Sequence, residues 1–411
     1  MNPLELTLGI MTAVGGFVDI SELVFAAKAG SQFGYALIWV FGFSTVGIMV
    51  FSEMSGRVAA IAKQPVFNLM RHRLGLKLGL VTLAASIISN LITCAAEIGG
   101  VSLIANYLAG VPYLLAAVVV TALIILSIWV LPFKWIERVY GLLGLFMITF
   151  AAALVAIHPP WDRIAGGLTP QVPHGLSTKE MLTFAYFGVA IVSAVLFPYE
   201  VYFYSSGAIE EGWSRKDLLT NRVTSIAGMG LGSLLAISIL ASSAQLFGPA
   251  NVDPAVPGSA ALQAAIPFGR WGLICALLGM FFAVAGAAVE TCMANAYSIA
   301  QFFGWAWGRH KKPWEAPRFT ITWILLFVIA LAIVITGVDV MTLVDLAILF
   351  SILVLPLTYL PLLLLSGDRH YMGGQVNGRL AKTLGWVYFA IIVAAALAAI
   401  PLYLLTSGGN G

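Results

Sequence analysis

Residues 7–28 read TLGIMTAVGGFVDISELVFAAK, an apolar run that carries two carboxylates, Asp19 and Glu22, midway along it. A bilayer core about 30 Å thick needs about 20 apolar residues in a helix rising 1.5 Å per residue, and runs of that length recur to the other end of the chain. Of the 411 residues, 60% are AVILMFWYC and only 9% are charged, against about 25% charge in soluble domains. Mean hydropathy is +0.97. These values exclude a soluble globular protein and predict an all-α polytopic membrane protein that meets the lipid bilayer directly.

Eleven apolar runs are expected as membrane helices, at about 7–28, 34–60, 79–107, 112–132, 137–157, 181–207, 219–247, 271–304, 319–337, 341–365 and 383–406. The first lacks the basic start and small-residue cleavage site of a signal peptide, so it reads as a mature helix. Two polar loops, His158–Glu180 and Gly248–Arg270, are too short to be domains. The whole chain, 1–411, therefore reads as one transmembrane domain. Seventeen Lys and Arg fall on the even-numbered connections, among them Arg57 and Lys63. Arg163, Lys179 and Arg270 lie on the other side, and Lys28 sits at a helix end. The positive-inside rule then places the N-terminus in the cytoplasm and the C-terminus outside. The net charge of +3 is small and forms no basic stripe for nucleic acid. Cys94, Cys275 and Cys292 fall in apolar runs without ligand or disulfide spacing and read as core residues.

An ionisable group at membrane depth is costly unless it is paired, hydrated or bound to an ion. Asp19, Glu22, Glu97, Glu200 and Glu290 are expected at that depth, with Glu53 in the inner half of the second helix, and no base is expected beside them. Protonated carboxyls or a cation must supply the missing counter-charge. Asp19 and Glu22 are spaced i, i+3, so both can point to one side. The preceding Gly15-Gly16 and Ser21 favour unwinding there, which frees backbone carbonyls as oxygen ligands. In the sixth run, Ser193-Ala194-Val195-Leu196-Phe197-Pro198-Tyr199-Glu200, the proline removes a backbone donor deep in the span and breaks the helix. Runs one and six each begin a set of five, and paired interruptions mark the midplane site of an inverted-repeat transporter. The repeats are expected at about 7–157 and 181–365, with the helix at 383–406 as an addition.

At these residues the sequence resembles the Nramp family of divalent-metal transporters. The family's helix-1 signature Asp-Pro-Gly-Asn, followed by Ala-Gly-Ser-x-Phe-Gly-Tyr, meets Asp19-Ile20-Ser21-Glu22 and Ala29-Gly30-Ser31-Gln32-Phe33-Gly34-Tyr35. Its helix-6 Met-Pro-His meets Phe197-Pro198-Tyr199, and Glu97 stands in family-like register in helix 3. The resemblance implies a LeuT-like fold of two inverted five-helix repeats, here with one extra helix and with helices 1 and 6 interrupted. It also implies a substrate site of Asp19, Glu22, the carbonyl of Ala194, and Phe197, beside Ser21, Tyr199 and Glu200.

Two departures bear on the cargo. Phe197 has no thioether, the soft ligand that suits transition metals. Glu22 replaces a neutral amide by an acid, which favours a hard, partly hydrated ion such as Mg2+, with Mn2+ second. In this the chain is similar to the divergent Nramp-related branch that includes magnesium transporters. The family's histidine is Tyr199, and a common aspartate near Glu97 is Cys94. All five histidines are expected in loops, which leaves Glu97, Glu53 and Glu290 as the candidates for a proton relay. A secondary transporter in a bacterial cytoplasmic membrane is the expected function, with no cofactor. The alternative on the same fold is a Na+- or H+-coupled symporter of a small anion such as bicarbonate, or of an organic solute. A membrane-embedded enzyme is disfavoured, because no Tyr-Asp with Gly-x-Gly-Asp pair, His-Glu-x-x-His or Gly-x-Ser-x-Gly motif occurs.

Overall fold

A computed structural model describes residues 18–409 apart from Pro132 and Ala255. The first half of the first expected helix, including Gly15 and Gly16, lies outside the described residues. The regular structure is helical: α1 (Ile20–Phe33), α2 (Ile38–Ala62), α3 (Val66–Ala109), α4 (Tyr113–Val130), α5 (Phe133–Gly144), α6 (Ile148–Ala156), a short α7 (Trp161–Gly166), α8 (Thr178–Val195), α9 (Pro198–Glu210), α10 (Leu218–Leu246), α11 (Pro257–Phe303), α12 (Pro317–Ile335), α13 (Val340–Gly367), a short α14 (Arg369–Met372) and α15 (Arg379–Thr406). Among the described residues, ten helical segments are long and apolar enough to cross a membrane, counting α8 with α9 as one.

Two spans begin earlier than their apolar runs. α3 starts at Val66 and passes a non-helical Gly75 (φ 82°), so the exposed His72 sits on a helix and not in a loop. α11 starts at Pro257 and bends at Gly269 (φ 59°), which turns much of the expected loop 248–270 into helix. Both glycines take φ values that cost other residues a Cβ clash. The stretch before Gly75 is amphipathic and not purely apolar, which is why a search for apolar runs stops short of it.

The packing divides each helix by environment. Leu115 and Leu123 on α4 and Leu397 and Leu404 on α15 are more than half exposed, as expected for side chains that meet lipid. Phe25, Phe51, Phe150, Phe187 and Phe327 are fully buried in one continuous core. α1 lies so close to α10 that a Cβ on Gly30 would stand 2.1 Å from the Leu240 carbonyl oxygen, and the Ser243 hydroxyl donates to the Ala27 carbonyl at 2.5 Å. Small residues at this crossing let the two backbones touch.

Two cations contradict the expectation that bases stay in loops or at helix ends. Arg57 is inside α2 and buried, with its Nε 3.0 Å from Glu53 Oε1 and its other nitrogens on the Gln375 carbonyl and Asn377 Oδ1 at 2.6 and 2.7 Å. Lys28 is buried within α1, and Asp345, a further acid on α13, interacts with it electrostatically. A long side chain inside an apolar run reaches a partner on another helix, and one-dimensional hydropathy carries no trace of that.

Candidate functional site

Asp19 precedes α1 in an extended conformation (φ −88°, ψ 175°) and caps it, its Oδ1 accepting the Glu22 N–H at 2.7 Å. The cap satisfies one of the donors that every helix start leaves open. The second oxygen, Asp19 Oδ2, is buried with no hydrogen-bond partner, as is the hydroxyl of Ser21. Glu22, in the first turn, is also buried.

The sixth span is broken where the proline predicts. α8 ends at Val195, Leu196 and Phe197 leave the helical region (φ −107°, ψ 38° and φ −53°, ψ 138°), and α9 starts on Pro198. Pro198 stands four residues after Ala194, so the N–H that would have taken the Ala194 carbonyl does not exist. The Leu196 carbonyl is claimed by the Tyr359 hydroxyl at 3.1 Å, and the Ser193 hydroxyl donates to the Ile348 carbonyl at 2.8 Å. Both bonds moor the end of α8 to α13. Glu200 lies in the first turn of α9, buried, with Oε1 unpartnered.

Helix α3 supplies Glu97, fully buried, whose Oε1 accepts from the Thr291 hydroxyl of α11 at 3.1 Å while Oε2 has no partner. Cys94, one turn earlier, and Cys292 are buried, while Cys275 is half-buried. The charges of Glu97, Asp19, Glu200 and Glu290 all act on the buried Tyr199, and those of Glu290, Glu22 and Asp19 act on Glu200. Five acids from α1 with its cap, α3, α9 and α11 thus share one electrostatic neighbourhood. Glu53 is not part of it, because Arg57 holds it elsewhere. The Phe197 and Tyr199 rings stack at 5.3 Å and pack with Ala294, so an aromatic surface takes the place beside the break. Among the described residues, no three His, Cys, Asp or Glu side chains converge as a ready-made metal cluster. What the structure offers is single carboxylate oxygens in one electrostatic neighbourhood and the freed backbone carbonyl of Ala194.

Thr291, Tyr359 and Asp345 are not among the residues the sequence points to, and Lys28 enters there only as a charge at a helix end. Asp345 could have been found, since it is a charge within an apolar run. Thr291 and Tyr359 are ordinary helix residues whose partners lie far along the chain, so nothing local marks them.

A helix capped by Asp19, a span broken just before Glu200 with the Ala194 carbonyl freed, and a surround of membrane-length helices define an integral membrane protein of LeuT-like fold. Solved structures agree on the fold. A manganese transporter of Eremococcus coleocola superposes with a TM-score of 0.77 at 19% identity, covering 98% of this chain and 87% of that one. MhsT in complex with L-phenylalanine gives 0.62 at 16%, covering 97% and 98%. The chain belongs to the Nramp family, described as natural resistance-associated macrophage protein-like, which it matches over residues 9–401. Relatives include the divalent metal cation transporter MntH of Deinococcus radiodurans, 26% identical over 92% of this chain and 85% of the relative. MntH 1 of Pseudomonas aeruginosa is 28% identical over 95% and 89%.

Proposed function

We propose that the chain is a secondary transporter that carries a divalent metal cation by alternating access, with Mg2+ favoured and Mn2+ second, through a site between the broken spans. The observation that carries this reading is the set of buried, unpartnered carboxylate oxygens, Asp19 Oδ2, Glu97 Oε2 and Glu200 Oε1, around the break at Leu196–Phe197. Buried unpaired anions are costly, and a divalent cation supplies the compensating charge. Asp19 Oδ2 and the Ala194 carbonyl are the direct ligands in this reading. Glu22 and Glu200 add negative charge, and Ser21 and Tyr199 add hydroxyls that hold the ion's water. In this reading Glu97 and Glu290 are the remaining relay candidates, called on only if uptake proves to be proton-coupled. The family and the names of its relatives support a divalent cation as cargo. The preference for Mg2+ rests on Phe197 and Glu22, which leave a site of hard oxygens without sulfur.

The repeats at about 7–157 and 181–365 pair the start of α1 at Asp19 with the break before α9, and rocking of one set against the other exposes the site to each side in turn. The Lys and Arg bias orients the N-terminus to the cytoplasm of a bacterial inner membrane. Uptake of Mg2+, Mn2+, Na+ and bicarbonate into proteoliposomes tests the reading. Mg2+ uptake that exceeds Mn2+ uptake and is lost in Asp19→Asn, with the variant still monodisperse in detergent, is the expected result. Bicarbonate uptake that requires Na+, without divalent-cation uptake, would sink it.

A further inference from the structure

Beyond Thr406, helix α15 turns back on three successive left-handed residues, Ser407 (φ 51°), Gly408 (φ 69°) and Gly409 (φ 79°). The Gly409 N–H is tied to the Thr406 carbonyl at 3.0 Å, and the Gly408 N–H to that of Tyr403 at 3.1 Å. This turn does not hang free. Gly408 and Gly409 are buried, and what they touch is specific. A Cβ on Gly408 would meet Asp345 Oδ2 at 3.0 Å, and one on Gly409 would meet Phe187 at 2.9 Å and Tyr186 at 3.2 Å. Only residues without a side chain fit so tightly at positive φ. The same rings hold α1: Phe25 lies 5.4 Å from Phe187 and 6.2 Å from Tyr186, centroid to centroid. Lys28, one turn further along α1 and also buried, acts on Asp345 through its charge. At 1.5 Å per residue Lys28 lies about 13 Å from Asp19 along the helix axis.

We propose that the turn at residues 407–409 is a strap that holds the far half of α1 closed over the site and must lift before that side opens. To swing away, α1 must pull Phe25 from the Tyr186–Phe187 surface and carry the charge of Lys28 away from Asp345. With the strap in place, Gly408 covers Asp345, so the abandoned carboxylate would stay buried without its cation, an expensive state. Lifting the strap admits water to Asp345 and frees the back of the ring pair, which removes both penalties together. The Tyr186 hydroxyl, buried beneath the strap with no hydrogen-bond partner, is a further polar group that gains water on opening. The strap thus couples a segment outside the two five-helix repeats to the gating helix. That this face is the outer one rests on the orientation in the proposed function; the strap itself rests only on these contacts.

The test uses the full-length chain with Cys94, Cys275 and Cys292 replaced by serine or alanine and Ala190→Cys, buried one turn along α8 from Tyr186, as a reporter that leaves the ring pair intact, reconstituted in sealed vesicles. A membrane-impermeant maleimide is added to either side. Slow labelling of the intact strap is expected, with about tenfold faster labelling after deletion of residues 407–411, after Gly408→Ala, which forces the turn off Asp345, and after Lys28→Gln. Deletion and Lys28→Gln together should gain less than the product of the two, because they release the same element. Unchanged labelling in both the deletion and Gly408→Ala, each monodisperse, would overturn the strap. Acceleration from either side supports it, and the side from which it occurs tests the orientation separately.

Discussion

The Thr291 hydroxyl on α11 shares its proton between Glu97 Oε1 on α3, at 3.1 Å, and the Ala287 carbonyl one turn back, at 2.8 Å, while Glu97 Oε2 is buried and unpartnered. The bond to Glu97 is the one side-chain hydrogen bond described for the carboxylate, and it joins the two helices. Thr291→Val keeps the shape and removes the donor. It should cost about 1–3 kcal/mol, the penalty for leaving a buried acceptor unmade. Thermal unfolding in detergent should show a lower midpoint for Thr291→Val and a near wild-type midpoint for Thr291→Ser. Equal midpoints for valine and threonine would show that the bond carries no stability.

Pro198→Ala returns an N–H to the position that the Ala194 carbonyl lacks and removes the clash that keeps α8 and α9 apart. The span should move towards a continuous helix and consume a carbonyl that the site needs. We expect uptake to fall at least about tenfold while the thermal midpoint holds or rises, since a proline inside a helix costs about 3 kcal/mol. Undiminished uptake would mean that the Ala194 carbonyl is not a ligand.

Glu22→Asn removes one negative charge from a site of hard oxygens and should shift selectivity away from Mg2+. Adding Phe197→Met offers a thioether beside the break and should admit Cd2+ or Mn2+, because sulfur favours softer ions. Calorimetry with Cd2+ reads this directly. If binding is the same in the double variant and the wild type, the side chain at 197 does not face the ion.

Coupling is expected to be electrical and not protonic. The histidines lie outside the acid cluster, on loops or at exposed helix positions, and Cys94 stands one turn before Glu97 where a carboxylate would have served. Membrane potential supplies about 2.3 kcal/mol per charge per 100 mV, twice that for a divalent cation. A pH dye sealed in the liposome lumen, read during a substrate pulse at fixed potential, should stay flat. Substrate-dependent acidification that vanishes in Glu97→Gln would assign the relay to Glu97 and refute potential-driven uptake.

Much of this protein is written in its local sequence. The number and rough extent of the apolar runs depend only on the cost of exposing peptide groups to hydrocarbon, so composition alone separates membrane from soluble. The break at Leu196–Phe197 is equally local, because a missing N–H at Pro198 acts within one turn. Asp19 and Glu22 announced themselves as charges in an apolar run, and Asp19 proves to be the cap of α1. Other features depend on partners hundreds of residues away. Arg57 belongs inside α2 because Gln375 and Asn377 wait for it, and the buried Lys28 feels the charge of Asp345 on α13, hundreds of residues away. Which oxygens stay open was likewise decided by tertiary contacts, through the Tyr359 hydroxyl on Leu196 and the Thr291 hydroxyl on Glu97. A hydropathy pattern prices each residue against lipid one at a time. The cost of a buried charge or carbonyl is set by what stands opposite it, and only the folded chain supplies that.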